Sequence, residues 1–335
     1  MNKVVLCLVC FMFSCIDEIP FSRTSGNLED IVIDGFITDQ QEPYRVRLSR
    51  AVRVTTLQNN FRPVEKAEVK IEDDTGLVVQ LNETSPGIYQ TDTAQMRGEV
   101  GRSYRLNVRT ADNSTYQSTW QKMLPVVKMD TLFFEVEDYV ETFTNLNGST
   151  VEIDRNRLKV LAGVNTTGSD AGFYRVKTRQ IEEILTSTLA CCSQCWVIFE
   201  FPDANIILVD GTKFRGQQFV NVGTVSYTQL SEYFIEVELL SLSREAFDFW
   251  SVVKEQRSIN GSIFDPLPST LRGNIEKIGS DEVVTGFFSA SASTKRSMII
   301  DRSNISPPPK AGVTLREGDC RAISGATTEK PDVFN

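Results

Sequence analysis

The chain has 335 residues, a formal net charge of -9 and no histidine. A phosphate-binding face needs a basic surplus, so nucleic acid is not an expected partner, and the missing imidazole removes Ser-His and Cys-His nucleophile pairs and every His-ligated metal site. The composition, 41% hydrophobic and 24% charged, is that of a globular protein too long for one core, so two domains are expected.

Lys3 followed by the apolar run Val4 to Phe13 reads as an export signal, because ten apolar residues are too few to cross a bilayer as a permanent helix. Ser14 is small and precedes Cys15, the arrangement a lipoprotein signal peptidase requires. Residues 1–14 are therefore expected to be a lipoprotein signal peptide and Cys15 the acylated start of the mature chain, with several acyl chains giving stable attachment. Cys10, behind branched Val9, is the weaker acceptor. Residues 15–27 lack periodicity and hold Pro20, Ser22, Thr24, Ser25 and Gly26, which suits a tether.

Period-2 alternation then begins. Ile31 and Ile33, then Tyr44, Val46 and Leu48, then Ala67, Val69 and Ile71 mark half-buried strands, and Asp73-Asp74-Thr75-Gly76 turns the chain into Leu77, Val79 and Leu81. With Tyr89, Tyr104, Leu106, Val108 and Tyr116, about seven strands without an intervening helix predict an immunoglobulin-like β-sandwich over 28–124. Residues 125–302 predict a second, β-rich domain, with strands at Thr131 to Val136, Leu158 to Val164, Phe173 to Val176, Ile181 to Leu185, Trp196 to Phe201, Asn205 to Val209, Tyr233 to Leu240, Val283 to Phe288 and Met298 to Ile300. One amphipathic helix is expected over 244–257, capped by Ser243, with Glu245 and Asp248 at its positive end, Lys254 and Arg257 at its negative end, and Gly261 as its stop. Its stripe of Ala246, Phe247, Phe249, Trp250 and Val253 has core spacing; Trp250 is either a core anchor, the simpler assignment, or a ligand platform. Residues 303–335 read as a polar tail opened by Pro307-Pro308-Pro309.

Cys7 and Cys10 leave with the signal, which leaves Cys191, Cys192, Cys195 and Cys320 to form two disulfides in an oxidising compartment. A bond between adjacent cysteines is disfavoured, so one of Cys191 and Cys192 is expected to pair with Cys195 or Cys320 and the other with the remaining partner. A four-thiolate zinc site is the rival, and no metal or cofactor is expected. Ser251-Val252-Val253-Lys254 matches Ser-x-x-Lys, but its partner motifs are missing. Glu182, Glu183, Glu236 and Glu238 could supply a carboxylate pair; alternation makes Glu236 and Glu238 more simply a solvent face.

Several stretches resemble one family: Ile33-Asp34-Gly35-Phe36-Ile37-Thr38-Asp39, Pro43 to Arg50, Ser243 to Trp250, Ser262 to Ile275, and Val284-Thr285-Gly286-Phe287-Phe288-Ser289-Ala290-Ser291-Ala292. The chain is similar over nearly all its mature length to the Bacteroidota lipoprotein family called domain of unknown function 4249. That resemblance implies an outer-membrane lipoprotein usually encoded beside a TonB-dependent receptor, and it transfers no catalytic residue. Phe287 stands where the family often has Tyr. Asp17 and Glu18 look like the acidic tag that sends such lipoproteins to the cell surface, and Asp92-Thr93-Ala94 and Asp130-Thr131-Leu132 look like O-glycosylation acceptors at Thr93 and Thr131. Pro266, Pro268 and Gly273 suit a structural role for 264–274; the alternative gathers Asp265, Arg272 and Asn274 in a shared cleft.

The expected function is therefore that of a non-catalytic accessory lipoprotein, membrane-bound through its lipid anchor, that binds a TonB-dependent receptor, an uptake ligand of unknown identity, or both. The alternatives are a surface hydrolase of captured glycan or peptide, which needs paired acids in a cleft, and an adhesin or structural lipoprotein, which needs a broad exposed aromatic face.

Overall fold

The computed structural model describes residues 30–50, 62–166, 172–188, 191–200, 206–258 and 271–334. Alternating side chains build nine strands in the first third: β1 (Ile31–Thr38), β2 (Arg45–Arg50), β3 (Arg62–Pro63), β4 (Glu68–Asp73), β5 (Val78–Ser85), β6 (Ile88–Gln90), β7 (Ser103–Arg109), β8 (Thr115–Ser118) and β9 (Gln121–Lys122). Then follow β10 (Met129–Thr144), β11 (Thr150–Thr166), β12 (Phe173–Ser187), β13 (Gln194–Glu200), β14 (Ile207–Asp210), β15 (Gly216–Ser226), β16 (Glu232–Leu242), helix α1 (Arg244–Ser258), β17 (Ile275–Lys277), β18 (Thr285–Ser291), β19 (Ser293–Asp301), β20 (Arg316–Glu317) and β21 (Ala326–Thr327). The protein is mainly β, as its periodicity predicts.

The first sheet runs β17-β8-β7-β4-β5-β6-β2-β1-β18. β5 pairs with β4 through Val78 to Leu81 and with β6 through Asn82 to Ser85, so it carries the sheet from one layer to the other. Between the layers lies a core that includes Ile33, Val46, Leu48, Ile71, Tyr89, Leu106 and Phe288, and each strand's alternate residues face outward. The Asp73 turn forms as expected: its carboxylate accepts from Thr75 N at 2.8 Å and Leu77 N at 3.0 Å.

Two strands of this sheet come from far along the chain. β18 lies parallel to β1, with Ile33 opposite Gly286 and Phe36 opposite Ser289, and β17 is antiparallel to β8. The chain thus leaves the first unit after β9, returns for β17 and β18, and departs again through Ala292 into β19, so a boundary at 124/125 separates sequence but not structure. Ser241, 1% exposed, ties these crossings together. Its hydroxyl donates to Leu124 O at 2.6 Å and accepts from Ala292 N at 2.9 Å, and its N–H donates to Ala292 O at 2.9 Å.

The second unit packs the three-stranded sheet β10-β11-β15 against the sheet β19-β16-β12-β13-β21. Val160 and Val164 of β11 meet Val176 of β12 and Ile235 and Val237 of β16 in their shared core. The β10 and β11 hairpin pairs in unbroken register from Thr131 opposite Gly163 to Thr144 opposite Thr150. Toward its tip, ion pairs such as Arg157 with Glu137 at 2.7 Å take over from apolar contacts.

Among the described residues, Arg302 is the largest side chain with no exposure at all. Its Nε donates to Ser231 O at 2.9 Å, Nη1 to Glu182 Oε1 and Ser226 O at 3.0 Å each, and Nη2 to the Ser231 hydroxyl at 2.6 Å. A buried guanidinium is tolerable only when its donors are met in this way. Glu183 is also spent on structure, accepting from Glu232 N at 2.7 Å and from Gln194.

The disulfide expectation is corrected. Cys195 pairs with Cys320, and Cys191 pairs with its neighbour Cys192. Cys195 points inward from β13, and the turn at Cys320 lies within 5.8 Å of it, Cα to Cα, an ordinary bridging distance. With both of these buried and joined, the half-exposed turn at 191–192 leaves its two thiols only each other. The last residues are correspondingly not a free tail: β20 pairs with β12, β21 with β13, and Phe334 packs edge-on to Phe234 beside Ile181 and Trp196.

Two outcomes are expected. Arg302→Met, which strands Glu182 and several backbone carbonyls, should cost about 3–5 kcal/mol in urea unfolding. Non-reducing peptide mapping should recover a 195–320 cross-link, and Cys320→Ser should lower stability by about 2–4 kcal/mol through the long loop it reopens.

Candidate functional site

Outward-facing residues of the first unit meet the second unit along one narrow cleft, with space of about 40 Å³ for water-sized molecules. Asp34 and Phe36 of β1 and Phe287, Ser289 and Ser291 of β18 form its floor. Strand alternation brings Arg45 and Arg47 to one wall from β2, because Val46 between them points into the first core. Arg175 and Lys177 of β12, with Leu240 and Leu242 of β16, form the facing wall, and Trp250 of α1 closes one end.

Two of these cations are seated on aromatic rings. The Arg175 guanidinium, on a residue only 5% exposed, lies 3.5 Å from the Trp250 ring centroid, and the Lys177 ammonium lies 4.1 Å from that of Phe36. Among the described residues, Asp34 is the one carboxylate on the lining and is 3.5 Å from Arg47. Glu238 stands opposite Lys177 in the β12 and β16 register, but it accepts from the Ser293 hydroxyl at 2.6 Å and neighbours Lys295 at 3.5 Å. Burial pulls the Lys295 ammonium down, yet Glu238 and Glu42 outweigh it and hold the group above the usual lysine value.

Helix α1 is positioned as its sequence directs. The Ser243 hydroxyl caps it by accepting from Ala246 N at 3.1 Å, and Ala246 and Phe249 bury against Leu242 and Phe287. Trp250 packs at the edge of this cluster and also lines the cleft, so it is both anchor and wall. Ser251 donates to Phe247 O at 2.8 Å within the helix, an ordinary back-bond rather than an activated nucleophile.

Arg272 and Asn274 do not share a cleft. Arg272 is exposed on a shallow groove across the helix, near Glu245, Asp248 and Val252. Asn274, 3% exposed, uses its amide on the backbone of Phe288: Nδ2 donates to Phe288 O at 2.8 Å and Oδ1 accepts from Phe288 N at 2.9 Å. Gly273 beside it abuts Gly286, and Gly286 abuts Ile33, so closely that a Cβ on either glycine would overlap the neighbouring backbone; Gly286 also has φ +122°. Asp265 and Gly261, like Cys15, lie outside the described residues. Thr93 is half-buried in a turn and Thr131 is exposed on β10.

The segments drawn together here are Ile33 to Gly35, Gly273 to Ile275 and Val284 to Phe288. A family profile described as a domain of unknown function (DUF4249) matches residues 16–297. The chain belongs to that family. No curated protein matches it. The glycines and the asparagine of the DUF4249 resemblance are thus accounted for by backbone packing, and its Arg45, Arg47 and Phe36 by the cleft. Arg175, Lys177, Ser241 and Arg302 of this DUF4249 chain carry no local signal, since a cation or serine on a strand reads the same whether it faces water or a neighbouring unit. Among the described residues, no group of three or more Cys, Asp or Glu is placed to hold a metal ion.

Asn274→Ala should cost about 2–4 kcal/mol, because it leaves a buried N–H and C=O unpaired. Arg272→Ala, two residues away but exposed, should stay within about 0.5 kcal/mol in urea unfolding.

Proposed function

We propose that this protein is an outer-membrane lipoprotein, anchored through acyl chains on Cys15 and displayed at the cell surface, that serves a TonB-dependent receptor by binding the receptor, its ligand or both. The cleft carries this reading: it is a recess between two packed units, lined by cations and aromatics and bounded, among the described residues, by strands and helix α1, and recesses between packed units are where binding sites of preformed shape occur. The family match begins at residue 16, directly after the candidate lipidated cysteine. The first unit then serves as the docking body near the membrane and the cleft as the recognition surface.

A hydrolase is the less favoured reading. Glu182 and Glu183 are adjacent on β12 and so point to opposite faces, and their oxygens are engaged by Arg302, Gln194 and the backbone of Glu232. Glu238 is engaged by Ser293 and Lys295. A carboxylate pair flanking a scissile bond needs two acids facing one space.

The reading is tested by mild-detergent capture of the tagged lipoprotein from its own outer membranes. Co-elution of a TonB-dependent receptor in near-equal amount is expected, together with loss of fatty-acid labelling and of membrane association in Cys15→Ser. A membrane-bound protein that elutes with neither a receptor nor an uptake ligand overturns it.

A further inference from the structure

We infer that the outer part of the β10 and β11 hairpin is a docking arm, and that its partner is another protein presenting an apolar groove rimmed by Lys and Arg. The arm is a separate surface from the cleft, so the inference goes beyond the reading above and stands apart from it.

Topology supplies the first ground. β11 pairs with β15 from Thr166 to Arg157, where Ser226 ends β15. Beyond that point, among the described residues, β11 has only β10 beside it, from Asn156 opposite Asp138 to Thr150 opposite Thr144. Seven residues on each strand thus form a two-stranded ribbon, about 23 Å long at the rise of a strand. Its base is pinned: Asn156 donates to Pro308 O at 3.1 Å and accepts from Lys310 N at 3.0 Å, and Lys310 pairs with Asp138 at 2.7 Å. The remainder stands clear of both sheets, with Val140 54% exposed, Phe143 42% and Leu146 fully exposed. A two-stranded ribbon is marginal in water by itself, and one that leaves apolar side chains in solvent gains by burying them against a partner.

The two faces supply the second ground. Residues directly opposed across an antiparallel pair share a face. One face holds Tyr139 opposite Arg155, Glu141 opposite Ile153, and Phe143 opposite Val151. Its charges are matched internally, since Arg155 Nε donates to Glu141 at 2.5 Å, so it presents Phe143, Val151 and Ile153 as apolar surface. The other face holds Val140 opposite Asp154 and Thr142 opposite Glu152. Glu152 and Asp154 have no cation beside them among the described residues. Residues 138–156 hold four acids and one base.

These charges select the occupant. Glu141, Glu152 and Asp154 stand within two residues of Val140, Phe143, Val151 and Ile153, and would have to enter hydrocarbon with them, which opposes a bilayer. A second copy pairing along the β10 edge would set acids against acids, because β10 carries five acids and no base. A groove with an apolar floor and a basic rim meets both faces at once, covering Phe143 and Val151 while supplying partners to Glu152 and Asp154. As the edge of its sheet, β10 also offers alternate backbone N–H and C=O groups to an extended segment of that partner.

The test uses the full-length chain in its own cells, with the photo-cross-linking residue p-benzoylphenylalanine in place of Phe143 and, separately, of Val151. Irradiation should give an adduct with another protein, mapped by mass spectrometry to a peptide containing Lys or Arg. Glu152→Lys with Asp154→Lys, both on exposed positions, should lower the adduct about tenfold with thermal unfolding unchanged. Glu152→Gln with Asp154→Asn, which should lower it about threefold, serves if the reversal is unstable. An adduct with a second copy, with lipid alone or with nothing, a yield indifferent to these variants, or an equal yield from Val313, exposed on the same unit outside the arm, overturns the inference. Detergent capture of a receptor combined with any of those results refutes the docking arm alone. A charge-sensitive adduct with a protein other than a TonB-dependent receptor upholds the arm without that assignment.

Discussion

A curled sheet leaves two edges to satisfy, and the first unit joins them through the side-chain amide of Asn274, which stands beside β17 at one edge and bonds the Phe288 backbone of β18 at the other. An asparagine amide presents an N–H and a C=O side by side, so it bonds both backbone groups of Phe288 and takes the place of one more strand residue. Three main chains must approach for this to occur, those of Ile33, Gly286 and Gly273, and two of the three residues lack a Cβ because no room exists for one. The clasp fixes β18 against β1, and β18 in turn supplies the cleft floor, the packing partner Phe287 for α1, and the exit into β19.

The second unit solves a different problem. Its sheet crosses the Arg302 guanidinium, which gathers Glu182, Ser226 and Ser231 from separate elements into one saturated network. Such a group contributes less through attraction than through the penalty for any arrangement that leaves its donors or their acceptors unmet, so it favours one packing over others. The Cys195 to Cys320 bond works in the same direction from the unfolded side, tethering the end of the chain to β13 across 125 residues.

Legibility followed the physics of each segment. Strands with one buried and one solvated face, such as β1, β2, β4 and β7, could be read from alternation, and α1 from its cap and stripe. The outer halves of β10 and β11 could not, since Glu137, Glu141, Arg155 and Arg157 are held by cross-strand ion pairs and leave no apolar rhythm. The return of β17 and β18 to the first sheet is a long-range pairing that no local pattern encodes, although the residues that permit it, Gly273, Asn274 and Gly286, stood out by family resemblance. On the cleft, Trp250 was legible as a residue of interest, whereas Arg175 was one cation among many until β12 was placed beside β1.

The position of the cleft follows from how the chain crosses between units. Two crossings, after β9 and at Ala292, meet at the junction, where Ser241 bonds both to β16 in a buried site. Walls held by β2 on one side and β12 on the other therefore cannot swing apart without breaking those bonds. On the β12 wall, Arg175 and Lys177 are seated on the rings of Trp250 and Phe36, which holds two long side chains in place. The recess is thus bounded by elements that the same buried bonds of Ser241 hold together, so its shape is set by the joint between the units and not by either unit alone.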